Sequence, residues 1–167
     1  MTPSPREQTP VTADSVDVVW ELNDPEDAAL VSEVARVTEA LRVAVGASDR
    51  DVCVLLVHDA KIQALNALWR GEEKPTDVLS FPVGDEGPEG PPSPLGDIVI
   101  SLDTATRQAA DHGWDLTQEV TFLLVHSVCH LVGHDHGEAV EASEMRAEED
   151  RLLAIVAPDQ ARPPTPY

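Results

Sequence analysis

Four of the chain's six histidines fall within eleven residues, His126-Ser-Val-Cys-His-Leu-Val-Gly-His-Asp-His136. His126 and His130 are four residues apart, so on a helix both imidazoles project from one face, one turn apart. Two such nitrogens suit two corners of a tetrahedral metal site. Gly133 can take the left-handed conformation that ends a helix and turns the chain back. The segment after it can return His136 to the same ion as third ligand. Three neutral imidazoles and one open position describe a catalytic Zn2+ site, whereas structural zinc has four closed protein ligands. His134 is the alternative third ligand, but it follows the turn glycine directly, and the longer reach of His136 closes the loop with less strain. Asp135 reads as a turn residue or an outer partner of a ligand. Cys129 sits about 100° around the helix from His130 and reads as a buried thiol. His58 and His112 stand alone and read as structural.

The same His-x-x-x-His-x-x-Gly-x-x-His spacing occurs in the zinc proteases called metzincins. Those need a Glu directly after the first His as general base. Ser127 occupies that position here, and a hydroxyl cannot take the proton at neutral pH. Peptidase chemistry by that route is disfavoured.

The elements that must position these residues follow from periodicity. Val16, Val18, Trp20 and Leu22 alternate as in a half-buried strand. Asp24-Pro25 opens a helix continued by Leu30, Val34, Val37, Leu41 and Ala44 and ended by Gly46. Asp51 to His58 predicts a buried strand, followed by an Asp59-capped helix through Trp69. Asp77 to Phe81 predicts a strand stopped by Pro82, and Gly84 to Pro94 a loop. Gly96 to Ser101 predicts a strand and Leu102 to His112 a helix. Thr117 to Val132 predicts a helix with Val120, Leu124, Val128 and Leu131 on one stripe, and Glu138 to Val156 a last helix. Strands interleaved with helices predict a single α+β domain over residues 15–157, a small mixed β-sheet packed with several helices. The histidine site then lies on a central helix and the loop after it. Residues 1–14 and 158–167, rich in Pro and Thr, read as a disordered leader and tail.

Composition narrows the function. Apolar residues at 42% and charged residues at 25% are globular values, which exclude wholesale disorder. The longest clean apolar run, Val52 to Val57, is too short to cross a bilayer. The amino-terminal residues carry no signal-peptide pattern, and Cys53 and Cys129 sit among apolar neighbours, so a reduced, cytoplasmic protein is expected. Eleven basic against 31 acidic side chains leave a net charge of −20, which repels nucleic acid phosphates. Much of that excess lies in Glu138, Glu141, Glu144, Glu148, Glu149 and Asp150, read as a solvated face. An RNA-binding reading therefore needs a local cationic pocket, for which Arg70, Lys61, Lys74 and Arg107 are candidates beside the metal.

Three ordered blocks resemble the YbeY family, bacterial metal-dependent endoribonucleases of ribosomal RNA maturation. The histidine segment is similar to that family's His-Gly-x-Leu-His-Leu-x-Gly-Tyr-Asp-His signature. Asn66-Ala-Leu-Trp-Arg-Gly-Glu-Glu-Lys-Pro-Thr-Asp-Val-Leu-Ser-Phe-Pro82 is similar to its Asn-x-x-(Tyr/Phe)-Arg-x-x-x-x-Pro-Thr-Asp-Val-Leu-Ser-Phe stretch, and Leu95-Gly-Asp-Ile to its Leu-Gly-Asp-Ile strand. Ser127, Cys129 and His134 replace the family's Gly, Leu and Tyr, and Trp69 its smaller aromatic; none removes a proposed ligand. The resemblance implies that His126, His130 and His136 bind one zinc ion and that Arg70 is the substrate residue near it. A planar, permanently charged guanidinium suits that role, since it clamps phosphate oxygens. The implied activity is single-strand-specific cleavage in ribosomal RNA processing, including 16S 3′-end maturation, and in ribosome quality control. The implied partners are ribosomal RNA in the small subunit and a ribosomal protein for targeting, with no DNA and no membrane. A zinc metallohydrolase of another class, peptidase-like, is the alternative, and a zinc-stapled binding module is the third reading.

Overall fold

The computed structural model describes residues 11–12, 15–83, 93–135 and 137–163. Its elements run β1 (Val11–Thr12), β2 (Val16–Glu21), α1 (Ala28–Ala44), β3 (Val52–Val57), α2 (Asp59–Arg70), β4 (Val78–Pro82), β5 (Gly96–Ser101), α3 (Leu102–His112), α4 (Leu116–Leu131) and α5 (Ala139–Val156). The architecture is the expected α+β single domain around a mixed sheet.

The sheet has the order β1-β2-β3-β5-β4. β2, β3 and β5 are parallel, and the outer strands β1 and β4 run antiparallel to their neighbours. All six residues of β3, Val-Cys-Val-Leu-Leu-Val, are buried, as a central parallel strand covered on both faces requires. On one face Val54, Leu56, Ile98 and Ile100 pack with residues of α1, α4 and α5. On the other, Cys53, Leu55, Val57 and Val99 meet Ile62 and Leu65 of α2. The site helix α4 and the helix ending in Arg70 thus belong to opposite layers.

α4 begins with a capping box. The Asp115 carboxylate accepts from the Gln118 backbone N–H, and the Gln118 side chain accepts from the Asp115 N–H. Its expected apolar stripe widens in the structure, because Phe122, Leu123, Val125 and Cys129 are buried as well. A helix packed by the sheet, α1, α3 and α5 has little surface left for solvent. It ends as expected at Gly133, which takes φ +100°. The Gly133 N–H donates to the His130 carbonyl at 3.0 Å, and that of His134 to the Cys129 carbonyl at 2.9 Å. This paired closure satisfies the last carbonyls and fixes where the chain leaves the helix.

Several boundaries differ from the sequence reading. α1 starts three residues beyond Asp24-Pro25, capped by Asp27, whose carboxylate accepts the Leu30 N–H at 3.1 Å. The Asp24 carbonyl instead accepts the Trp20 indole N–H. Asp59 does not cap α2. Its carboxylate accepts from Ser101 and Thr104, each at 2.6 Å, and from Arg107 at 2.9 Å. Burial pushes this carboxyl up, but those three donors outweigh burial and hold it below its ordinary value. Pro82 is the last residue of β4 rather than its stop, which an edge strand tolerates because it lacks only an outward N–H. Two residues of the expected leader, Val11 and Thr12, pair with Val18 and Asp17. The expected tail is docked as far as it is described, with the Gln160 amide donating to the Gln118 carbonyl at 2.8 Å. The predicted loop at 84–92, the rest of the leader and residues 164–167 lie outside the described residues.

Gly96 is where the sheet admits α4. A Cβ there would meet the Phe81 carbonyl oxygen at 2.5 Å and the Leu131 side chain at 2.7 Å, beside His130. Gly96→Ala is therefore expected to destabilise the fold by about 3 kcal/mol through forced repacking. A fall in the urea midpoint at unchanged m-value checks this; an unchanged midpoint contradicts it.

Candidate functional site

His126 and His130 occupy the last two turns of α4 with both rings half-buried. The rings stand nearly perpendicular, at 84° with centroids 4.7 Å apart. Their Nε2 atoms are 3.2 Å apart. Two nitrogens bound tetrahedrally at zinc–nitrogen lengths of 2.0–2.1 Å are separated by about 3.3 Å, so the pair has the spacing of two ligands of one ion.

What holds His126 in this pose is Glu149. Its Oε2 lies 2.7 Å from His126 Nδ1, and the carboxylate is completely buried. An ionised carboxylate can only accept, so Nδ1 carries the hydrogen and Nε2 keeps its lone pair. Ligating histidines are held in this way by carboxylates at their other nitrogen. Phe122, one turn earlier on α4, stacks on the His126 ring at 6.1 Å and limits its swing. Glu149 corrects the sequence reading, which placed it on a solvated face. Met145, Glu149, Leu152, Leu153 and Val156 are all buried on α5. A carboxylate at i+4 on that apolar stripe was the available signal.

The other candidates take distinct places. His136 lies outside the described residues. His134 is half-buried near Glu148 of α5, whose carboxyl is held below its ordinary value chiefly by the Arg151 guanidinium. Ser127 is buried, and its hydroxyl has no hydrogen-bond partner among the described residues. Cys129 is fully buried, and burial, with Glu149 and Glu148 nearby, pushes its thiol up to about 12. Among the described residues no group of three His, Cys, Asp or Glu side chains is placed to hold a metal, so the donor pair there is His126 and His130.

Arg70, the last residue of α2, is exposed and has no hydrogen-bond or ion-pair partner among the described residues. The structure does not bring it to the cavity of about 930 Å3 that opens beside His126. The other cations proposed for a local pocket are engaged: Arg107 with Asp59 at 2.9 Å, Lys61 with Glu21 at 4.0 Å and Lys74 with Glu72 at 3.9 Å.

The cavity also exposes a pair the sequence reading did not connect. His112 Nδ1 lies 2.7 Å from Oε2 of the buried Glu119, and both line the same cavity as His126. Burial raises the Glu119 carboxyl, only partly offset by the His112 contact. The signal was again spacing, since Glu119, Phe122 and His126 recur at helical intervals along α4.

The family model described as Endoribonuclease YbeY matches residues 20–157, and so takes in the whole of this site. The chain belongs to the YbeY endoribonuclease family. Relatives with that description include proteins of Moorella thermoacetica, 43% identical over 76% of this chain and 86% of the relative, and Thermus thermophilus, 43% identical over 75% and 91%. A Bradyrhizobium relative is 38% identical over 91% of this chain and 89% of its own. A Thermotoga maritima protein known from its solution structure shares the fold of this family member, with a TM-score of 0.57 at 24% identity, covering 89% of this chain and 99% of that one.

The raised Cys129 thiol generates a direct check. Iodoacetamide at pH 8 should leave Cys129 unlabelled in the folded protein and label it after unfolding, read by mass spectrometry. Rapid labelling of the native chain would show the thiol elsewhere than against α5.

Proposed function

We propose that this chain is a zinc-dependent, single-strand-specific endoribonuclease acting in ribosomal RNA processing, including 16S 3′-end maturation, and in ribosome quality control. The observation that carries the reading is the His126–His130 pair, with Nε2 atoms 3.2 Å apart and one ring tied to buried Glu149. Family membership supplies the reaction class, since the relatives are described as endoribonucleases. His126, His130 and His136 hold the ion in this reading. When bound, zinc polarises a phosphodiester oxygen and acidifies a water to a pKa of about 7.

The chain's own residues do the rest. Glu149 fixes the His126 tautomer and aims its Nε2 lone pair. Phe122 packs the ring so that this aim survives thermal motion. Arg70 brings a guanidinium not engaged by any described carboxylate, and clamps the phosphate oxygens of the strand. Its exposed place lets a flexible single strand approach, and no described helix is long and apolar enough to cross a membrane, which suits a cytoplasmic enzyme working on ribosomal particles.

Side-by-side assays on ribosomal RNA and casein, with metal content measured, test the reading. His130→Ala should lose zinc and RNA cleavage together. Arg70→Ala should keep zinc and lose cleavage by about 100-fold or more. Cleavage of casein that depends on His130 would favour the peptidase-like alternative instead. Glu149→Leu should weaken zinc binding by about 10- to 100-fold, with Glu149→Gln closer to wild type because its amide oxygen still accepts. Equal zinc affinity in wild type and Glu149→Leu would overturn the assigned role of Glu149.

A further inference from the structure

Every described lysine and arginine except two is engaged by a carboxylate or by backbone carbonyls. Arg36, Arg42, Arg107, Arg151 and Arg162 pair with Glu33, Glu39, Asp59, Glu148 and Asp150. Arg50 donates to the carbonyls of Val83, Ser93 and Pro94. The two without such a partner among the described residues are Arg70 and Arg146. Arg146 is half-buried, and it lines the cavity that His126 also lines.

Its height along that cavity follows from helix geometry. Glu149 of α5 meets His126 of α4, while Gln160, just beyond α5, meets Gln118 near the start of α4. The two helices therefore run antiparallel. Arg146, one turn before Glu149, lies on the same face of α5 and toward the His130 end. At the other end of the cavity stand His112 and Glu119; Glu119 lies seven residues, about 10 Å, along α4 from His126. Phe122, Leu123 and Pro163 supply apolar wall between them. The volume of about 930 Å3 lies at the upper end of the range for small-ligand sites.

Of the four carboxylates on this wall, Asp111 is exposed and has no partner among the described residues, and the other three are engaged. Asp150 takes Arg162 at 2.8 Å, Glu119 takes His112, and Asp77 accepts the Val78 N–H at 2.7 Å. A half-buried guanidinium in the same cavity as the apolar wall of Phe122, Leu123 and Pro163 fits a group that is anionic at one end and flat and apolar at the other.

We propose that this cavity is a nucleotide subsite, with Arg146 holding the phosphate of the nucleotide next to the scissile bond and the apolar wall receiving its base. The subsite rests on the endoribonuclease reading above, which it deepens. Arg146 is then the charge that lets a strongly acidic protein hold RNA at the point of reaction, where a guanidinium gains from low local dielectric.

The test is fluorescence anisotropy on zinc-loaded protein, using a 2′-O-methyl, phosphorothioate-linked single-stranded oligonucleotide over a salt series. Arg146→Ala should weaken binding by about tenfold or more. It should also flatten the plot of log K against log salt by about 0.7, the share of one phosphate contact on a single strand. Arg146→Lys should keep the salt slope and lose part of the affinity. Ala161→Trp, which narrows the cavity from its exposed rim, should weaken binding at unchanged zinc content and Tm. If the wild type cleaves RNA while Arg146→Ala and Ala161→Trp bind with its affinity and salt slope, the subsite is wrong and the enzyme assignment stands. If the wild type neither binds nor cleaves RNA, the assignment falls and the subsite with it.

Discussion

The site depends on one hydrogen bond between two helices, from His126 Nδ1 to the buried carboxylate of Glu149 at 2.7 Å. A carboxylate taken fully out of water is costly unless its oxygens are partnered, and an imidazole N–H is the partner α4 offers here. The bond therefore does two things at once. It makes burial of Glu149 tolerable in the apolar face of α5, and it leaves the other nitrogen of His126 directed at His130. Packing and chemistry share the same contact, so a change that loosens α5 against α4 disturbs the donor pair as well.

That arrangement also explains how charge is distributed. The chain carries a formal charge of −20, yet its surface acids largely neutralise its own arginines. The long-range field on a polyanion is therefore repulsive, and RNA has to be held by short-range contacts where solvent is partly excluded. Arg70 at the end of α2 and Arg146 on α5 are the described guanidiniums left available, on helices that cover opposite faces of the sheet. An acidic exterior with a few unneutralised cations favours substrates already presented at close range over capture of free RNA from solution.

Much of this arrangement is legible in the sequence. The i, i+4 histidines and the glycine that ends their helix predict a paired donor site at a helix C-terminus, and Gly133 closes α4 in that way. The strands read from β-branched runs and the helices read from apolar spacing match the observed elements to within a few residues. The misses have a common cause. Asp24, Asp59 and Glu149 read by local rules as caps or a solvated face, whereas their carboxylates lie against residues distant in sequence: His58 at 3.8 Å from Asp24, Ser101, Thr104 and Arg107 on Asp59, and His126 on Glu149. Most such contacts join residues tens of positions apart, and no single-sequence period reports them. His112, read as solitary, found Glu119 across the turn between two helices. Lys61, Lys74 and Arg107, read as a cationic pocket, were lost to acidic neighbours for the opposite reason, since a surplus of carboxylates leaves few cations unclaimed.

Anomalous diffraction at the zinc edge from crystals of the zinc-loaded protein bears most directly on the shared donor pair. The account predicts one peak within about 2.1 Å of both His126 Nε2 and His130 Nε2, with Glu149 still on Nδ1. A peak elsewhere in the fold, or a His126 ring turned so that Nδ1 faces the ion and Glu149 is abandoned, would contradict it.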